Sequence, residues 1–409
     1  MQEGRRPGRW HCRRAFLIFR WLHLIAGIAW IGSSFYFIFL DLSLRKRREL
    51  PPGVGGESWN VHGGGFYLMQ KYTVAPAEMP EELHWFKYEA YFTFLSGFAL
   101  MSVIYYWGAD AFLIDPEVLE LSQLEAIALS ISFLAGGWII YDILCRLPVF
   151  EKNDLALSVA VFILILLVAW AATNVFSGRA AFVHVGAVVG TIMVANVFFV
   201  IIPNQKIVVA DLIAGRTPDP SLGMEAKQRS THNNYLTLPV LLMMMSSHFP
   251  MIFGHEQSWI VVALILIVGG IIRDFFNRKN SGEIGNALKW QWPAAVVFMG
   301  ALILFISYDP RASVDGDVDV PGATDVLAIA QTRCATCHAA RPTDKDFDKA
   351  PGGVRLESVE DLRKYNTKIL KQTVLTRAMP LANRTKMTRE ERDMLGLWIR
   401  SGMPDEDKK

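Results

Sequence analysis

Apolar residues run through the first three quarters of the chain in stretches of about twenty, separated by short polar connections. Read in windows of about 19 residues, these stretches predict eight spans, at 15–41, 84–107, 124–145, 155–176, 181–202, 232–253, 257–277 and 289–308. Each is about long enough to cross a hydrocarbon core of roughly 30 Å. Each must then be helical, because an open strand in lipid would leave its amides and carbonyls unpaired. Past residue 308 the pattern changes. Residues 309–324 mix Asp, Gly, Val and Pro with no apolar period and read as a linker, whereas 325–334, 358–375 and 388–400 regain a helical period. The expected fold is therefore all-α. A basic N-terminal extension (1–14) precedes a polytopic membrane bundle of eight transmembrane helices (15–308), and the linker (309–324) leads to a small helical domain (325–409).

Charge sharpens this division. Of the 80 charged residues, 35 fall in the last 101, so the two parts are built for different solvents. That excludes a single soluble enzyme, and a net charge of +2 leaves no broad basic face for nucleic acid. Lys and Arg crowd the connections 42–83, 146–154, 203–231 and 278–288, while 108–123, 177–180 and 254–256 hold only Arg179. The first set is expected on the cytoplasmic side, which puts both termini outside. Arg5, Arg6, Arg9, Arg13 and Arg14 oppose that orientation, but one tail stands against seven loops.

Cys334-Ala335-Thr336-Cys337-His338 is a C-x-x-C-H run. Two thiols at this spacing reach one porphyrin edge and form thioethers, and the adjacent histidine lies under the iron. One covalent haem c is expected, and with it a class I-like cytochrome c domain. A zinc half-site or a redox C-x-x-C is the alternative, and neither accounts for His338. No histidine follows His338, so the sixth ligand is expected to be a methionine. Met379, before Pro380 in a loop, is preferred over Met403; Met387 and Met394 read as helix flank and core.

Ionisable groups within spans cost several kcal/mol in lipid, about 2.5 to 3.5 on insertion scales, and so point to function. Here they fall in two layers. The outer layer holds His23, His184 and His248, near Asn174 and Arg179. His23, Gly27, Trp30 and Ser34 share one helical face, with a small residue one turn from the histidine. Two of these histidines could ligate a b-type haem or another metal; the alternative is hydrogen bonding between helices. The inner layer holds His84, Glu89, Asn204, Gln205, His232, Asn233 and Asn234, and the loop adds His62, three glycines (63–65) and Lys71. Amide-rich residues suit a flat polar heterocycle, and a glycine run lets backbone approach a ligand.

These residues carry a resemblance. Trp21 to Gly32, Val61 to Tyr67, His84 to Tyr91, Phe176 to His184, Ile202 to Gln205 and Gln228 to Tyr235 resemble the membrane-embedded urate oxidase N-terminal family. With its C-x-x-C-H tail the whole chain resembles the cytochrome c-linked urate oxidases. The resemblance implies oxidation of urate to 5-hydroxyisourate, with electrons passing to the haem c and on to the respiratory chain or a terminal oxidase. It implies a multi-pass protein of the bacterial inner membrane with a periplasmic cytochrome domain. Such a reaction needs a base, for which Glu89, His84 and His232 qualify. It also needs a counter-charge for the urate anion, which Arg179, Lys87 or Lys71 supplies. The other readings are an electron-transfer subunit fed by quinol and a purine transporter with a fused cytochrome; no pair of interrupted helices supports the latter.

Overall fold

The structure, a computed structural model, describes residues 7–74, 76, 80–150, 153–255, 257–308 and 319–406. Most of the expected linker and residues 1–6 of the extension lie outside them. Helix α1, Pro7–Ser43, begins inside the expected extension and runs unbroken through the first span. It ends where the all-α expectation needs its one correction. Residues 42–83 are not simply a loop: β1 (Val54–His62) and β2 (Gly65–Tyr72) form an antiparallel hairpin. His62 pairs with Gly65, so Gly63 and Gly64 make a two-residue turn, and both take positive φ (58° and 80°). Turns of this kind match the twist of the strands and favour glycine. The glycine run thus has a turn to make, and nothing within 4 Å would meet a side chain at Gly63 or Gly64. Arg47–Glu57 (2.9 Å) and Lys71–Asp41 (2.7 Å) tie the hairpin to the end of α1.

The remaining long helices follow in chain order. They are α2 (Tyr88–Met101), α3 (Gln123–Arg146), α4 (Asp154–Thr173) and α5 (Gly178–Ala195), which widens at 196–201 into α6 (Ile202–Ile213). After them come α7 (Pro220–Met245), α8 (Ser258–Ser281) and α9 (Gln291–Ser307). Side chains start several of them: Ser122 and Glu125 form a reciprocal capping box on α3, and Asn153 and Ser177 cap α4 and α5.

Among the described residues six helices, against the eight spans expected, are long and apolar enough to cross a membrane: 16–43, 123–146, 154–173, 178–213, 258–281 and 285–307. The other two expected spans are helical but differ. The 84–107 helix begins only at Tyr88, which leaves His84 outside it. In place of 232–253, α7 begins at Pro220, stops at Met245 and carries a polar run through Asn234.

Helix α5 is the centre of the bundle, packed against α3, α4 and α7 and buried almost along its length. Glycines set the close approaches. A Cβ at Gly137 would collide with Val188, and one at Gly186 would stand 3.0 Å from Met243. Outward-facing Leu, Ile and Phe cover the rest, the reverse of a soluble surface and the arrangement lipid requires.

The tail has its own small core. Helices α10 (Ala323–Arg333), α11 (Val359–Lys364) and α12 (Arg389–Arg400) enclose Val326, Ala330, Leu362, Met387, Leu395 and Trp398. It sits on the end of the bundle formed by the 109–122, 174–179 and 249–255 connections. Asn383 Nδ2 donates to Glu117 Oε2 (3.0 Å), and Ala378 joins the bundle's apolar cluster. Gly254 lies so close to the Thr376 carbonyl that no side chain fits there. Gly254→Ala is therefore expected to lift the tail from the bundle at a cost of about 1 to 3 kcal/mol. Faster tryptic release of the tail from the full-length protein in detergent would register it; an unchanged rate would mean that the contact is not tight.

Candidate functional site

The inner polar layer is a hydrogen-bond network. Arg229, His232 and Asn233 share one face of α7, at i, i+3 and i+4. Asn196, in the wide turn after α5, gives both amide protons to it: Nδ2 donates to Tyr141 Oη (3.1 Å) and to Asn233 Oδ1 (3.0 Å). The Tyr141 hydroxyl in turn bonds Nδ1 of His232 (2.8 Å), and Asn233 Nδ2 donates to the Met193 carbonyl. Arg229 is fully buried, with Nη2 on Asp142 Oδ1 (2.7 Å) and its guanidinium over the Tyr141 ring. Next to it Asn234 Oδ1 accepts from Arg273 and Asn277, and Gln291 from α9 reaches Asp274 (3.1 Å).

Of the inner-layer residues singled out by sequence, His232, Asn233 and Asn234 enter this network. The others do not. Asn204 donates to Glu225 (2.9 Å), Gln205, His84 and His62 are exposed, Lys87 lies over the Tyr88 ring, and Glu89 is half-buried in the first turn of α2. Tyr141, Asp142, Asn196, Arg229 and Arg273 are the members that sequence reasoning missed. A buried-length helix carrying Arg229 three residues before His232 was the available signal.

Each outer-layer histidine has a different partner. Nδ1 of His184 donates to the Ala180 carbonyl and its Nε2 meets Ser130 Oγ, both at 2.7 Å. Tyr106 extends that chain to Ser130 (2.9 Å). Both ring nitrogens of His184 are thus engaged. His23 Nδ1 donates to the Thr93 carbonyl (3.0 Å) against Gly97, and His248 Nε2 takes Arg20 (2.5 Å). The His184–Ala180 bond lies within α5 and the others join different elements; among the described residues no group of three or more His, Cys, Asp or Glu could hold a metal ion.

In the tail, Cys334 caps α10, and the turn that follows brings the His338 amide to the Cys334 carbonyl (2.9 Å). Neither Cys334 nor Cys337 is in a disulfide, and burial pushes each thiol up to about 11. His338 donates its Nδ1 proton to the Val354 carbonyl (2.9 Å), which fixes the tautomer and leaves Nε2 for a metal. That donor set fits a covalent haem. Met387 is fully buried in the tail core, whereas Met379 lies half-buried in the 376–386 loop. Arg377, Ala382, Asn383 and Lys386 in that loop hold left-handed φ near 50°, a strained setting for side-chain-bearing residues. Arg392 of α12 holds it from within. Its guanidinium donates to the Thr373 carbonyl (2.8 Å), the Met379 carbonyl (2.6 Å) and Asn383 Oδ1 (3.1 Å).

Between tail and bundle lies a cavity of about 310 Å³, lined by Asp115, Glu117 and Arg179 from the bundle and by Arg377, Arg389 and Arg392 from the tail. Arg179, in the first turn of α5, lies over the Phe253 ring (5.4 Å). Burial pushes the Asp115 carboxyl above the usual carboxylate range, against the pull of the Glu117 amide and of Arg392 and Arg377.

Helices of this length and apolarity, with their charges turned inward, are those of a multi-pass membrane protein. Residues 11–307 match the model of the family described as urate oxidase N-terminal, well over half of the chain, and the protein belongs to that family. Membership points to a urate-related oxidoreductase. No curated protein and no solved structure matches the chain.

The Arg229–Asp142 pair makes a clear test of the inner network. Asp142→Ala leaves the buried Arg229 guanidinium with only Glu225, at 3.8 Å, as counter-charge and is expected to cost about 3 kcal/mol. The loss should appear as a lower midpoint of thermal unfolding in detergent; an unshifted midpoint would place the pair outside the cooperative core.

Proposed function

We propose that the protein oxidises urate to 5-hydroxyisourate at the membrane and delivers the electrons to the respiratory chain. The balance is urate and water to 5-hydroxyisourate, two electrons and two protons. Family membership supports the substrate. The observation that carries the rest is the docking of the C-x-x-C-H tail, by its Met379 loop, onto the end of the family domain.

In this reading Cys334, Cys337, His338 and Met379 hold a haem c, which when bound supplies an acceptor of one electron at a time, its potential raised by the thioether ligand. Arg392 positions that loop by three hydrogen bonds, two of them to backbone carbonyls. The inner network ties helices together: His232 commits Nδ1 to Tyr141, and His84 and Glu89 stand apart from it. A bacterial inner membrane with the tail on the periplasmic side fits the charge asymmetry of the connections, and a terminal oxidase is the natural acceptor beyond the haem.

Urate added without oxygen to the purified, oxidised protein is expected to bring up the reduced-haem absorption band, and a Cys334→Ala, Cys337→Ala variant should lack covalent haem. Reduction by quinol with indifference to urate would make the chain an electron-transfer subunit instead.

A further inference from the structure

The cavity between bundle and tail has the features of an anion site, and of the residues that line it only Arg179 was singled out from the sequence. At about 310 Å³ it is at the small end of small-molecule sites, roughly 300–1,000 Å³. Four arginines line it against two carboxylates, and one of those, Glu117, is already bonded to Asn383. Helices α5 and α8 both begin at its wall, so the positive ends of two helix dipoles face it. One more observation is independent of these. Arg392, 3% exposed, gives Nη1 to two carbonyls and Nη2 to Asn383, and its Nε has no hydrogen-bond partner, a state it shares with Arg229 Nε, Asn234 Nδ2 and Gln291 Oε1 of the inner network. A buried guanidinium N–H without a partner leaves its desolvation uncompensated, and Arg392 is among the residues that line this cavity.

We infer that this cavity is the binding site of the urate anion, with Arg179 and Arg392 as donors to its oxygens and Asp115 as acceptor for a ring N–H. The inference rests on the reading of the protein as a urate oxidase. Urate suits the site because it is flat, singly charged near neutral pH and edged with alternating carbonyls and N–H groups. A guanidinium and a carboxylate on facing walls read such an edge in one orientation. The site is shared: Arg179 and Asp115 come from the family domain, and Arg392 from the tail. Since Arg392 also holds the Met379 carbonyl (2.6 Å), the group that binds substrate is the one that fixes the loop expected to carry an iron ligand. Substrate and acceptor are thereby placed on one side of the membrane, with no electron path through the lipid core required.

Equilibrium dialysis of radiolabelled urate against the full-length protein in detergent tests the siting, with anaerobic haem reduction followed in parallel. Arg179→Ala is expected to weaken urate binding by at least about tenfold, Arg179→Lys to recover part of it, and Ala111→Trp, which fills the cavity, to abolish it. Asn277→Ala, in the inner network, serves as the control for general loss of stability and should bind as the parent does. If the unsubstituted protein binds and is reduced by urate while Arg179→Ala and Ala111→Trp bind equally well, the siting is overturned and the functional reading stands. If the unsubstituted protein neither binds urate nor is reduced by it, the functional reading falls and the siting with it.

Discussion

A guanidinium buried in the tail has to be answered by acceptors, and the way Arg392 is answered organises the junction of the two halves. Its donors take up the carbonyls of Thr373 and Met379 and the amide oxygen of Asn383. Asn383 uses its remaining capacity on the Met387 backbone and on Glu117 of the bundle. Four left-handed side-chain-bearing residues in one short loop would not persist unaided, and this set of bonds over-determines them. Removing the charge would release the loop, the contact to the bundle and one wall of the cavity together.

Lipid imposes a comparable constraint on the other half. With no water to satisfy them, the polar groups of α3, α5, α7 and α8 must find one another, and they do so in networks built from amides, a tyrosine hydroxyl and two buried arginines. The Tyr106, Ser130, His184 chain solves the same problem nearer the tail. Most of these groups spend their bonds on one another, although Arg229 Nε, Asn234 Nδ2 and Gln291 Oε1, like Arg392 Nε in the tail, have no partner.

The parts legible in the sequence were those written by local physics. Hydropathy located α3, α4, α8 and α9 closely because lipid demands an unbroken apolar run, and helical period located α12. The cysteine spacing could be read for the same reason, whereas Met387, read as a helix flank, is buried in the tail core. The hairpin could not, since its exposed Trp59, Val61, Phe66 and Tyr67 blur the alternation by which a half-buried strand is known. Its glycines looked like a ligand loop because a tight turn needs the same residue. Arg229 and Asp142 lie 87 residues apart, and Glu117 and Asn383 lie 266 apart. No periodicity announces such meetings, so the network's partners and the whole cavity appeared only once the helices and tail were docked.

The tether between Ser307 and Ala323 acquires a thermodynamic meaning from the shared cavity. Two modules joined by a short linker see each other at an effective concentration in the millimolar range, whatever their abundance in the membrane. A contact too weak to assemble from separate chains can then persist as the resting state, free to part and re-form without being lost. The covalent link raises occupancy of the junction above what the interface would give between separate chains.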